Sequence, residues 1–127
     1  MKVQLPLGDV VDKVTILLLK QARIVDPAKQ ANVSRELVSL RATWADNDLP
    51  PMESLTDWQA LCAVNASLWE VEDDLRVLEA QADFGAQFIK LARSVYRLND
   101  QRADLKRSIN EALGSELVEE KSYQEYR

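Results

Sequence analysis

The stretch NASLWEVEDDLR, residues 65–76, holds four carboxylates, an arginine, an asparagine and a tryptophan. Carboxylates this dense suggest three kinds of chemistry: acid–base catalysis, a divalent-cation site, or one half of a charged network. A second polar set, Asn99, Arg102, Lys106 and Asn110, follows downstream. Projected at about 100° per residue, the first stretch divides. Leu61, Val64, Leu68, Val71, Leu75 and Leu78 form an apolar stripe, and Glu70, Asp73 and Asp74 point away from it as solvated surface. Asn65, Trp69, Glu72, Arg76 and Glu79 run along the stripe's edge.

On the downstream helix, Arg102 projects near the middle of the apolar face. A guanidinium there must be paired, reach water past its neighbours, or hold an anion. Glu72 and Glu79 are the expected partners. The candidate site is therefore a polar seam of Asn65, Trp69, Glu72, Arg76, Asn99, Arg102 and Lys106. It is a closed network that fixes helix register, a pocket for an anionic small molecule, or a contact for a partner's acidic surface. For Glu72 and Arg76 the plainer alternative is an i, i+4 surface ion pair. Lys90, Arg93, Arg97, Asp100 and Asp104 read as outer, solvated charges.

Other chemistries find little support. The chain has no histidine and one cysteine, Cys62, so imidazole catalysis, imidazole metal ligation and an intrachain disulfide are excluded. No glycine-rich phosphate loop is present. Glu70-x-x-Asp73 matches a fragment of the carboxylate set that holds Mg²⁺ in all-α nucleotide pyrophosphohydrolases. That set needs oxygens converging from two helices, and Asp100 and Asp104 project away from the seam. No catalytic residue, metal ligand or cofactor is assigned.

The elements that hold these residues are helical. Three glycines and four prolines in 127 residues argue against a turn-rich β fold, and 46% hydrophobic with 29% charged residues is a globular balance. MKVQLPLG, ahead of the first helix, reads as a short extended edge strand or arm. Helix one is expected over 9–25, capped by Gly8 or Asp9 with Asp12 in its first turn. It carries Val10, Val14, Leu17, Leu18 and Val25 on one face and further apolar residues on others, the pattern of a central or interface helix. Asp26-Pro27 starts helix two, about 27–46, with Val33, Leu37, Leu40 and Trp44 inward. Pro50-Pro51 enforces a loop. Thr56-x-x-Gln59 resembles a capping box opening helix three, about 57–81. Helix four, about 84–113, ends at a C′ glycine, Gly114. The sequence predicts one all-α domain over 1–127: a four-helix bundle built on a long antiparallel hairpin, with a charged tail, 115–127, at its periphery.

GDVVDKVTILLLK, NVSRELVSLRATW, LWEVEDDLR, FIKLARSVYRLNDQRADLKRSIN and GSELVEEKSYQEY together resemble a family of uncharacterised small all-helical bacterial and phage proteins, a domain of unknown function. The resemblance spans nearly the whole chain and is most specific in LWEVEDDLR and VYRLNDQRADLKRSIN. It implies an all-helical fold and supplies no activity or site residue.

A net charge of −5 disfavours nucleic acid as a partner, and no run approaches the roughly 20 apolar residues that cross a bilayer. With no signal-peptide pattern, the expected compartment is a bacterial-type cytoplasm. The leading expectation is a non-enzymatic interaction or scaffold protein that forms homo-oligomers or meets a protein partner. The alternatives are a binder of, or enzyme for, an anionic small molecule at the seam and, more remotely, a Mg²⁺-dependent nucleotide pyrophosphohydrolase.

Overall fold

The computed structural model describes residues 5–114. Residues 1–4 of the expected extended arm (1–8) and the charged tail at 115–127 lie outside the described residues. Four helices account for the architecture: α1 (Leu7–Arg23), α2 (Pro27–Asp46), α3 (Trp58–Ala80) and α4 (Ala86–Leu113), with a short 3₁₀ turn at Met52–Ser54.

Local chemistry sets most of the boundaries. The side chain of Asp26 accepts from the Lys29 N–H at 3.3 Å, and Pro27 occupies the first turn of α2. Gly114 closes α4 in the left-handed conformation, φ +67°, where a Cβ is costly. Two boundaries differ from expectation. α1 begins at Leu7, because Pro6, with φ −57°, serves as its N-cap in place of Gly8 or Asp9, so Leu7 and Gly8 are helical rather than extended. α3 forms no side-chain cap. Asp57 instead accepts from Ser108 Oγ at 2.6 Å, which ties the start of α3 to α4.

α1 is the central element. Gly8 meets Asn110, Asp9 meets Lys106 and Asp12 meets Arg102, so α1 runs antiparallel to α4. Thr15 meets Asn65 and Arg23 lies over Trp69, so it runs in the same sense as α3. α2 packs mainly on α1. The core draws Val11, Val14 and Leu17 from α1, Val33, Leu37 and Trp44 from α2, Met52 from the turn, Trp58 and Leu61 from α3, and Ile109 from α4. A helix apolar on several faces is thereby surrounded on several sides, as its pattern predicts. Val25 is the exception: α1 ends before it, in the turn to α2, and it is 89% exposed.

The α3–α4 hairpin is longer than the body that covers it. Among the described residues, the end of α1 meets Trp69 and Glu70 through Arg23. Every buried residue of α3 lies at or before Leu68, and every buried residue of α4 at or after Asp100. The remaining turns, roughly 15–20 Å of each helix, form a two-helix arm. Phe84 packs edge-on against Phe88 at its tip, with ring centroids 5.2 Å apart.

Candidate functional site

The polar layer begins on α1. Asp12 and Thr15 are buried among Val11, Val14 and Leu17, on the face that meets α3 and α4. Arg102 of α4 grips the Asp12 carboxylate with two donors: Nε to Oδ1 at 2.9 Å and Nη2 to Oδ2 at 2.5 Å. Asn65 of α3 divides its amide hydrogens between Asp12 Oδ1, at 2.9 Å, and Thr15 Oγ1, at 2.8 Å. The Thr15 hydroxyl donates in turn to the Asp12 carbonyl at 2.6 Å. Asp12 is 6% exposed and Arg102 29%, so the pair is shielded on the carboxylate side and reaches water on the other. A bidentate, charge-assisted grip with a third donor is the geometry in which a buried carboxylate is tolerated. The network locks three helices in register.

Next to it, Lys106 Nζ lies 3.2 Å from Asp9 Oδ1, and Asn110 Oδ1 accepts from the Gly8 N–H at 2.6 Å. That N–H is one of the donors an α-helix leaves unpaired in its first turn, so α4 caps α1 from outside. An open cleft of about 430 Å³ lies along α1 between α2 and α4, with Arg102 and Lys106 on one wall and Lys13 and Glu36 on the other.

The family of unknown function DUF6165 matches residues 1–126. The chain belongs to this family. Comparison with curated proteins and with solved structures finds no match.

The DUF6165 chain distributes the expected seam residues unevenly. Asn65 and Arg102 come together, but through Asp12 rather than Glu72. Lys106 joins the same side by pairing with Asp9. Glu72 is exposed, on the arm beyond α1, and is not among the carboxylates paired with Arg102 or Lys106. Arg76 is exposed and pairs with Asp73 at 3.4 Å within its own helix. Trp69 is half-buried, with Arg23 5.7 Å from its ring centroid in a cation–π contact. Asn99 is half-buried without joining the network. Sequence reasoning missed Asp12 as the central acceptor and Asp9 as the partner of Lys106. The available signal was an acid set among the apolar positions of α1, which demands a buried cation elsewhere.

One further residue differs from expectation: Asp100, read as outer surface, is 1% exposed. Among the described residues no three His, Cys, Asp or Glu side chains gather in metal-binding geometry, so the Mg²⁺ reading gains no support from the arrangement of side chains.

Cys62 is half-buried. Its thiol pKa is pushed up by burial and, secondarily, by the negative charge of Glu53. Raising a thiol pKa reduces the thiolate present at any given pH, and the thiolate is the nucleophile. Iodoacetamide at mildly alkaline pH is expected to alkylate Cys62 several-fold more slowly in the folded chain than in denaturant. Mass spectrometry of timed quenches checks this; equal rates in both states would contradict the described environment.

Proposed function

We propose that this DUF6165 protein is a non-catalytic helical interaction module that self-associates through the arm of its α3–α4 hairpin. One observation carries the reading: from Trp69 to Asn99 no side chain is buried. Val77, Phe84, Ile89 and Tyr96, all on this stretch, are between 44% and 55% exposed. Single exposed apolar residues are ordinary, but several gathered on one two-helix projection form a surface that association would cover. Helices in proteins also draw most of their stability from packing, and among the described residues the arm helices pack chiefly against each other. A second chain laid along the arm supplies the missing contacts.

Size-exclusion chromatography with light scattering at micromolar concentration tests the proposal. The expected mass is a multiple of 14.4 kDa. The double variant Phe84→Glu/Ile89→Glu, with both changes at exposed positions, is expected to run as a monomer with unchanged helicity. A monomeric wild type would remove the proposal.

A further inference from the structure

The arm separates its charges by helix. From Trp69 to Ala80, α3 carries five carboxylates, Glu70, Glu72, Asp73, Asp74 and Glu79, and one arginine, Arg76, which leaves −4. From Ala86 to Leu98, α4 carries Lys90, Arg93 and Arg97 and no carboxylate, which leaves +3. Every one of these charged side chains is exposed.

Little of this charge is compensated within one chain. Glu70 meets Arg23 at 3.5 Å and Asp73 meets Arg76 at 3.4 Å, surface pairs of small worth. Among the described residues, no ion pair joins an arm carboxylate of α3 to Lys90, Arg93 or Arg97. Half-buried Leu75 and Leu78 of α3, with Leu91 and Val95 of α4, mark the seam between the two helices. The charges stand outside that seam. At three- and four-residue spacing, Asp73 and Asp74 share a side of α3 with Val77, and Arg93 shares a side of α4 with Ile89 and Tyr96. Each exposed apolar group is therefore bordered by charge of one sign.

We infer that two arms associate as a closed pair whose two-fold axis runs along their length, with each acidic α3 on the basic α4 of a second copy. The inference rests on the self-association proposed above and adds its geometry. One hairpin can close on another in two ways as a square of four helices. With the axis along the arms, all neighbouring helices are antiparallel and every edge of the square joins an acidic helix to a basic one. With the axis across the arms, α3 lies on α3 and α4 on α4, which sets −4 against −4 and +3 against +3. Apolar contact at Val77, Ile89 and Tyr96 is compatible with either; the charges select the first, as flanking charges select orientation in coiled coils. A closed pair also uses both complementary sides at once, whereas a head-to-tail row leaves one of each uncovered and keeps growing.

Reversing the charge of one helix at a time tests the arrangement, with sedimentation velocity of the full chain over a concentration series. The variant Glu70→Lys/Asp73→Lys/Asp74→Lys turns −4 into +2, and Lys90→Glu/Arg93→Glu/Arg97→Glu turns +3 into −3, all at exposed positions. Each variant alone is expected to self-associate on the order of tenfold more weakly than wild type, and an equimolar mixture to restore the pair. Added sodium chloride should weaken the wild-type pair, a readout that needs no substitution and stands even where a variant folds less well. Three results would each overturn the arrangement while leaving self-association in place: single variants that associate as tightly as wild type, a wild-type pair that tightens with salt, or a mass that climbs beyond two chains. A monomeric wild type would remove both readings.

Discussion

Replacing Asp12 with alanine is expected to destabilise the fold by about 3 kcal/mol and to lower Tm by roughly 10 °C. The carboxylate holds two contacts from Arg102 and one from Asn65, so its loss takes a bidentate partner from a guanidinium and leaves an amide hydrogen unmatched. Breaking one side of a buried pair costs more than the pair contributes, because the surviving charge has lost its compensation. The partial exposure of Arg102 lets water recover some of that loss, which places the effect at the lower end of the range for buried pairs. The double variant Asp12→Ala/Arg102→Leu should therefore be more stable than Asp12→Ala alone. Urea unfolding followed by circular dichroism measures both. If Asp12→Ala unfolds within about half a kcal/mol of wild type, as a surface substitution does, the network is not the register lock described above.

The second large effect is expected at Gly8. A Cβ there would stand 2.3 Å from the Lys106 carbonyl oxygen and 3.0 Å from Asn110 Oδ1. The first of these is backbone, so the clash cannot be relieved by rotating a side chain; α1 and α4 must separate. Alanine is otherwise the better helix residue, by roughly 0.5–1 kcal/mol. Overpacking of a tight contact costs about 1–3 kcal/mol and outweighs that gain. Gly8→Ala is thus predicted to be net destabilising by about 1–2 kcal/mol. The same change would lengthen the bond by which Asn110 caps α1. A stabilised Gly8→Ala protein would contradict the close helix contact.

Helical periodicity made the helices and their order legible, because apolar residues at three- and four-residue spacing and the Asp26-Pro27, Pro50-Pro51 and Gly114 signals depend only on neighbours in sequence. It also singled out Asn65 and Arg102, since polar groups near an apolar stripe need partners wherever the stripe is buried. The partner itself was hidden. Projecting α3 and α4 alone leaves a two-helix seam, in which Glu72 is the natural acid for Arg102. The third helix laid across that seam supplies Asp12, and α1 stops at Trp69 and Glu70, before the seam reaches Glu72. Asp12 had a local explanation too, as a favourable charge in a first turn, which concealed its tertiary role. Likewise, nothing in the apolar stripes of α3 and α4 marks where the covering body ends. A stripe has the same pattern whether it is buried by another helix or left on an arm.

Hydrogen exchange across a dilution series tests whether the arm is an association surface. If chains associate there, amides of residues 71–80 and 86–98 will be protected at high concentration and lose protection on dilution. Those of 9–20 in α1 will keep theirs, because their packing lies within one chain. Protection of the arm that is the same at every concentration would contradict the claim.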